Sequence, residues 1–319
     1  MNNTLPFVSV IIPAFNEEKH IGRCLDSLKQ QDYPSPCFEI IVVDNGSSDN
    51  TVGIAKEKGV EVLILPLGKV GAVRNLGAKN AKGSVLAFID ADCLAGREWI
   101  ASAVSSLNNP KVGAVGGFCK LPSQPVWVER AWVLGERKGD SKTKALAGGS
   151  FIVRRDIFEV LKGFDENINA GEDSLLSSQI CGMGYDLLFL ESCSVIHLGY
   201  PKRLFDFAKR QFWHSSSYSR SNLGLKDKTF VAVLMFSILC VMAFIFVAFA
   251  KTKIALILMI LALMISFIFT AKRIFFGGYT RIFVRSLVSA VFVDIVYFFS
   301  RSLGLVSSFF SEFWRKLGG

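Results

Sequence analysis

Residues Val85–Cys93 read VLAFIDADC: an unbroken apolar run leads straight into two aspartates one residue apart. Such a run, bounded by polar residues, is the pattern of a strand covered on both faces, as in a parallel sheet flanked by helices. Outward from this stretch the pattern recurs. FVSVII (Phe7–Ile12) precedes a helical pattern around Ile21–Gln31, EIIVV (Glu39–Val43) one around Thr51–Lys58, and EVLIL (Glu61–Leu65) one near Ala72–Ala81. After the opening stretch come a helical pattern near Glu98–Leu107 and the short run VGAV (Val112–Val115). Strand and helix alternate, which predicts an α/β fold built on a doubly wound, mostly parallel sheet.

In such a sheet, ligands bind beyond the carboxyl ends of the strands. Those positions read PAFNEE, DNGSSDNT, PLGKVGAVRN and DADC in chain order. Three of them carry carboxylates and the other carries Lys69 and Arg74, a composition suited to a polyanion held with a metal ion. No GxGxxG follows the first strand, which argues against a dinucleotide-binding dehydrogenase. In extended backbone, Asp90 and Asp92 project to the same side at a spacing of roughly 6–7 Å. Both then reach one hydrated Mg²⁺ or Mn²⁺, or one reaches the metal and the other a ribose. Hard oxygen ligands suit these ions. Two aspartates at this spacing also arise as turn residues or helix caps; their place after a buried strand favours the metal.

Five segments resemble the family 2 glycosyltransferases of the GT-A fold, in that family's order: VSVIIPAFNEEKHIGRCLDSLKQQ from Val8, EIIVVDNGSSDNT from Glu39, GAVRNLGAKNAKGSVLAFIDADC from Gly71, GGSFIVRRDIFEVLKGFDENINAGEDSLL from Gly148, and VIHLGYPKRLFDFAKRQF from Val195. The resemblance implies a GT-A-type sheet and transfer of a sugar from a nucleotide-diphosphate sugar. It implies that Asp44 and Glu17 hydrogen-bond the base or ribose, with Pro13 and Ala14 shaping that wall. Arg74 and Lys69 would face the nucleotide or diphosphate. Asp90 would hold ribose or a metal-bound water, and Asp92 would bind the metal directly. His197 resembles a late histidine that completes the metal's coordination in some GT-A enzymes; a strand-end histidine bonded to backbone is the alternative. Glu172 and Asp173 match the ED motif, whose Asp is taken as general base for the acceptor hydroxyl. Neighbours at a helix start point in different directions, so one carboxylate can face the acceptor while the other holds the loop; helix capping is compatible with both roles. Gly148, Gly149 and Lys162–Asp165 resemble the acceptor-side framework and supply shape rather than chemistry.

Mechanism follows from charge. Loss of a nucleoside diphosphate leaves negative charge on phosphate, which a cation at Asp92 with Arg74 or Lys69 would offset. Attack from the opposite face with Asp173 as base implies inversion. After the ED motif the chain reads SLLSSQ, without the further acid and the Arg that the family often carries there, and the QxxRW of processive synthases is missing. A single sugar transfer is expected rather than polymer extrusion.

The remainder is a different kind of chain. Residues 229–319 hold 9 Lys+Arg against 2 Asp+Glu and 16 of the 28 Phe, while residues 1–228 hold 27 against 25. Thr229–Ala250 and Ile254–Ala271 are uncharged runs of 22 and 18 residues, long enough to cross or nearly cross a hydrocarbon core of ~30 Å. Only Lys251, Thr252 and Lys253 separate them, which forces a helical hairpin. Lys202, Arg203, Lys209, Arg210, Arg220, Lys226 and Lys228 precede the hairpin and Lys272, Arg273, Arg281 and Arg285 follow it. This bias places residues 1–228 in the cytoplasm of a multi-pass cell-membrane protein. No signal peptide is expected, since FVSVII is too short for its apolar region. Ser286, Asp294, Tyr297, Arg301 and Ser308 share one side of a helical projection. The segment 286–314 is expected as an interfacial amphipathic helix, with a third span pairing Asp294 to Arg301 as the rival. Trp314, Arg315 and Lys316 suit a headgroup anchor in either case.

An anchor beside the active site points to an acceptor held at the membrane, either polyprenyl phosphate or a lipid-linked glycan, in glycolipid or polysaccharide biosynthesis. The basic residues before the hairpin serve lipid phosphate, anionic headgroups or topology. A charge of only +2 over residues 1–228 and no basic, aromatic-interleaved patch exclude a nucleic-acid partner. The seven cysteines lack any CxxC, so they read as reduced cytosolic thiols with no zinc site implied. High apolar content excludes a disordered chain. Two other readings stand beside the transferase: a nucleotidyltransferase, disfavoured because PAFNEE replaces a Gly-rich phosphate loop, and a non-catalytic membrane-tethered scaffold of the same fold.

Overall fold

The computed structural model describes residues 5–168, 170–215, 228–276, 281–282 and 286–317, with side chains at 276, 281–282 and 309–317 outside the description. Arg220, Lys226 and Arg285, and the side chains of Arg281, Trp314, Arg315 and Lys316, therefore lie outside the described residues. The chain forms two compact units: Met1–Ser123 with Lys138–Gly199, and Gln124–Arg137 with Tyr200–Gly319. The second unit thus takes in 124–137 and 200–228, which the sequence groups with the catalytic domain.

The first unit contains the expected alternation. Strands β1 (Val8–Ala14), β2 (Phe38–Asp44), β3 (Glu61–Ile64) and β4 (Val85–Phe88) are joined by helices α1 (Ile21–Lys29), α2 (Thr51–Glu57) and α3 (Val70–Asn80). After β4 come β5 (Cys93–Ala95), α4 (Trp99–Leu107), β6 (Val112–Gly116) and β7 (Cys119–Lys120). Helix α5 (Trp127–Val133) and β8 (Gly135–Glu136) belong to the second unit. The first unit resumes with β9 (Ser141–Thr143), β10 (Phe151–Arg154), α6 (Arg155–Val160), α7 (Glu172–Gly182), β11 (Asp186–Phe189) and β12 (Val195–His197). Eight strands form one sheet in the order β3-β2-β1-β4-β10-β6-β11-β9, and β5-β12-β7 form a small second sheet.

The apolar runs are continuous because both faces of the sheet are covered. Val8, Val10 and Ile12 pack with Ile21, Leu25 and Leu28 of α1 and with Trp99 of α4. Ile11 and Phe88 face the other way, onto Val73 of α3, Phe158, Phe164 and Ile180. Strand β1 runs parallel to β2 and β4, whereas β10 is antiparallel to both β4 and β6. That strand enters from the carboxyl edge, so Gly148–Ser150 arrive beside the end of β4. Its sequence, FIVR, is too short to be told from a helix or loop by pattern alone.

Helix α3 packs directly on the sheet at Gly77, where a Cβ would run into Ile11 and lie 3.1 Å from Val43 Cγ2. Both neighbours are fully buried β-branched side chains that cannot swing aside.

The second unit adds α8 (Leu204–Ser215), α9 (Lys228–Ala248), α10 (Thr252–Phe276), β13 (Arg281–Ile282) and α11 (Leu287–Leu317), with β13 antiparallel to β8. Among the described residues, three helices are long and apolar enough to cross a membrane: Lys228–Ala248, Thr252–Phe275 and Leu287–Ser308. The first two form the expected hairpin. The third, expected as an interfacial helix or a third span, carries its polar stripe inward. An interfacial helix turns its polar stripe to water, but here Ser286, Asp294, Tyr297 and Ser308 are buried, while Val288, Phe292 and Leu303 are exposed. Asp294 takes Arg273 of α10 as its partner, with Thr270 Oγ1 donating at 2.7 Å, in place of the pairing foreseen with Arg301. Arg273 also donates to the Trp132 carbonyl at the end of α5 and lies over the Trp132 ring. Arg301 donates to Gln211 of α8 and lies over Tyr297.

Overpacking at Gly77 is testable. Gly77→Val should cost about 1–3 kcal/mol, read as a fall of roughly 2–10 °C in Tm of the detergent-solubilised protein; an unchanged Tm would contradict this packing.

Candidate active site

Asp44 ends β2 and is 2% exposed. Its Oδ2 accepts hydrogen bonds from the backbone N–H groups of Gly46 (3.0 Å) and Ser47 (2.9 Å). Its Oδ1 is buried and has no donor among the described residues. A carboxylate oxygen left this way costs free energy unless a ligand supplies the donor. Ala14, at the end of β1, lies in register with Asp44, and Pro13 with Val43. The loops after these two strands interlock: Asn16, at φ +55°, accepts from Ser48 N–H, and Glu17 N–H donates to Thr51 Oγ1. Asn45 exchanges two hydrogen bonds with the Gly68 backbone, both 2.8 Å, which adds the loop after β3 to the same wall.

Strand β4 stops at Phe88, and Asp90 and Asp92 sit in the turn before β5. The pleat expected to align them is therefore replaced by a turn, in which Cys93 N–H donates to Asp90 O at 3.0 Å. Each carboxylate meets its own surroundings. Asp90 Oδ1 accepts from Arg74 at 2.7 Å. Asp92 Oδ2 lies 3.5 Å from Nε2 of the buried His197. His197 is brought there by β12, whose antiparallel register on β5 sets it opposite Cys93. Donor atoms of Asp92, Cys93 and His197 all lie within 4.8 Å of one another, a group able to hold a metal ion. Gly199 is required beside them, because a Cβ there would overlap the Asp92 carboxylate. Glu17 faces the same region. Burial raises its pKa, a hydrogen bond with His20 at 2.8 Å opposes this, and the charges of Asp92 and Asp90 raise it further.

Arg74 does not stand open toward a diphosphate. It is buried on α3, and its guanidinium donates to Asp90 and to Glu172, with its Cζ 5.5 Å from the Phe164 ring centroid. Burial lowers the Arg74 pKa, but Asp90, Glu172 and Asp173 together raise it above the ordinary value. Glu172 is also buried, and burial raises its pKa against the opposing pull of Arg74. The adjacent acids of α7 divide as their positions dictate: Glu172 turns inward to Arg74, while Asp173 is only partly buried. Asp173 Oδ2 accepts from Gly148 N–H at 2.8 Å and Oδ1 from Ser174 N–H at 2.7 Å. Gly148 lies flat on the guanidinium: a Cβ would fall 2.6 Å from Arg74 Nη2. Lys69 Nζ donates to the Asn167 carbonyl.

Two residues passed over in the sequence have roles here. Asn75 exchanges hydrogen bonds with both backbone groups of Phe164, each 2.9 Å, pinning the acceptor-side loop to α3. Its position next to Arg74 was the only signal. Cys93 sits against Asp92, its Sγ 3.6 Å from Oδ1.

Removing Arg74 should be severe. Arg74→Met strands buried Glu172 and should cost about 3–5 kcal/mol, whereas the double change Arg74→Met with Glu172→Leu should recover much of the loss. Thermal unfolding in detergent reads this; equal losses in the single and double variants would contradict it.

The family model for Glycosyl transferase family 2 matches residues 9–161. Glycosyltransferase AglE of Haloferax volcanii is 33% identical over 224 residues, covering 66% of this chain and 73% of that protein. A dolichyl N-acetyl-alpha-D-glucosaminyl phosphate 3-beta-D-2,3-diacetamido-2,3-dideoxy-beta-D-glucuronosyltransferase of Methanococcus voltae is 30% identical over 140 residues, 40% of this chain and 44% of that one, so the match spans less than half of the relative. Among solved structures, the mannosyltransferase PcManGT from Pyrobaculum calidifontis, in complex with GDP-Man and Mn²⁺, shares the fold at a TM-score of 0.59 with 21% identity, covering 95% of this chain and 88% of that one. With the edge geometry above and a relative at this identity and coverage, the chain belongs to the family 2 glycosyltransferases.

Proposed function

We propose that the protein is a metal-dependent, inverting glycosyltransferase that moves one sugar from a nucleotide-diphosphate sugar to a membrane-held acceptor, polyprenyl phosphate or a lipid-linked glycan, at the cytoplasmic face. The observation that carries this reading is a single sheet edge that gathers the donor-free Asp44 Oδ1, the Asp92–His197 pair and the partly exposed Asp173.

In this reading the base or ribose supplies a donor to Asp44 Oδ1, against the wall of Pro13 and Ala14 and with Glu17 at its rim. Asp92 and His197 fit a divalent cation, being a hard oxygen and an imidazole nitrogen close together and largely shielded from water. When bound, Mg²⁺ or Mn²⁺ supplies positive charge to the leaving diphosphate. Asp90, held by Arg74, would hydrogen-bond ribose or a water of the cation site. Arg74 then acts on the donor through Asp90 and not by direct contact. Lys69 holds the Asn167 loop, which borders the acceptor side.

Asp173 is the general base. Both its oxygens accept one backbone N–H, and each keeps a lone pair for the acceptor hydroxyl. The acceptor oxygen attacks the anomeric carbon while its proton passes to Asp173 and the bond to the diphosphate oxygen breaks. The bonding pair leaves with the nucleotide, and configuration inverts. Glu172 is a positioning residue that fixes the start of α7 through Arg74.

The membrane reading rests on three apolar helices among the described residues and on one relative whose name includes a dolichyl-phosphate-linked sugar. The inward polar stripe of α11 supports a third crossing, since a membrane-spanning helix turns its polar residues to its neighbours and its apolar ones to lipid. The basic residues on both flanks of the hairpin support the cytoplasmic orientation.

Transfer should be measured with the full chain in detergent across a nucleotide-sugar panel, with Mn²⁺ or Mg²⁺ and with polyprenyl phosphate present or absent. A metal-dependent lipid product of inverted configuration is expected, and Asp92→Asn or Asp173→Asn should each lower kcat roughly 10²–10⁴-fold. Undiminished transfer by the double variant would overturn the assignment, as would a sugar phosphate consumed together with a nucleoside triphosphate.

A further inference from the structure

We propose that Cys93 is a third protein ligand at the cation site, giving this chain a mixed oxygen, nitrogen and sulfur donor set that accepts thiophilic divalent ions. The inference rests on the reading of Asp92 and His197 as cation ligands. Strands β5 and β12 set Cys93 directly opposite His197, and residues directly opposed across two strands project to the same face with Cβ atoms about 4.5–5.5 Å apart. The Asp92 carboxylate bridges the two: Oδ1 lies 3.6 Å from Cys93 Sγ and Oδ2 lies 3.5 Å from His197 Nε2.

An ion bound at about 2.0–2.1 Å from nitrogen or oxygen and about 2.3 Å from sulfur needs its donors within roughly 3.3–4.5 Å of one another. The spread here, within 4.8 Å, leaves only a small inward shift. Three protein donors with one side left for water or substrate are the pattern of an open site. Of the seven free thiols, Cys24 and Cys193 are also buried in the first unit, yet Cys93 is the one grouped with a carboxylate and an imidazole. The sequence gives no CxxC because the donors come from two strands about a hundred residues apart. Cys119 is the rival sulfur: it is hydrogen-bonded to Cys93, and a Cβ at Gly149 would lie 3.1 Å from Cys119 Sγ and 3.5 Å from Cys93 Sγ.

Binding forms an S–metal bond and releases the thiol proton to solvent, with no change of oxidation state. The ion becomes more tightly held as its affinity for sulfur grows, so Co²⁺, Zn²⁺ and Cd²⁺ should bind more tightly than Mg²⁺.

The test is titration of the full chain in detergent with Co²⁺, followed by near-ultraviolet absorption, alongside Mn²⁺ binding read by electron paramagnetic resonance. Wild type should develop a thiolate-to-Co²⁺ charge-transfer band that saturates at one ion per chain. Cys93→Ser should lose that band, Cys119→Ser should keep it, and Asp92→Asn should weaken both Co²⁺ and Mn²⁺ binding at least tenfold. A wild type that binds Mn²⁺ at Asp92 but gives no band overturns the role of Cys93 alone. Absence of binding by either ion overturns the Asp92–His197 reading and this inference with it. A band that survives Cys93→Ser and vanishes in Cys119→Ser also overturns it. A wild-type spectrum that lacks a thiolate band with both Co²⁺ and Cd²⁺ overturns the role of Cys93 even where a cysteine variant fails to fold.

Discussion

One buried guanidinium holds the site together. Arg74, on the inner side of α3, spans from Asp90 at the end of β4 to Glu172 at the start of α7. Its surroundings are built for that. Gly148 has no side chain because its Cα rests against the guanidinium, and the N–H of the same residue donates to Asp173. The two acids of α7 are thereby fixed from two directions, one through a charge and one through a backbone hydrogen bond.

The energetics explain why the residue is arginine. A buried cation pays a desolvation cost of several kcal/mol, which is recovered only with good geometry and more than one partner. The forked guanidinium can serve two carboxylates at once, which a lysine ammonium on a flexible stem does poorly. Burial alone would lower the Arg74 pKa, and the charges of Asp90, Glu172 and Asp173 raise it above the ordinary value; burial raises the Glu172 pKa, Arg74 opposes that shift, and the neighbouring charge of Asp173 adds to it. Helix α3 can be the platform because it is itself immobilised: Gly77 seats it on β1 and β2, and Asn75 and Lys69 hold the loop from Phe164 to Asn167. A Cβ at Gly71 would fall 2.6 Å from the Asp165 carbonyl, so that loop, too, closes onto bare backbone of α3.

What was legible in the sequence follows from the same physics. The runs at Val8, Phe38, Glu61 and Val85 announced their strands because a sheet covered on both faces needs apolar residues without alternation. The carboxylates after them could be placed at one edge by topology alone. Strand β10 could not be read, since three apolar residues and an arginine after Gly148-Gly149-Ser150 carry no period. The partners of Arg74 were illegible because they lie 16 and 98 residues away, so an arginine on an acidic edge read as a contact for diphosphate. The pleat argument for Asp90 and Asp92 failed because the strand ends two residues before the first of them. In the second unit, the polar stripe of α11 was visible but not its direction. Period gives the face of a helix, and only packing shows whether that face meets water or protein.

Arg74 joins the donor edge and the acceptor-side helix into one electrostatic unit. A double-mutant cycle on kcat/KM with Asp90→Asn and Glu172→Gln measures this most directly, since the two residues share a partner. A coupling of about 0.5–3 kcal/mol between them is expected, lost when the cycle is repeated in an Arg74→Met background. Effects that add to within about 0.5 kcal/mol in the wild-type background would contradict it.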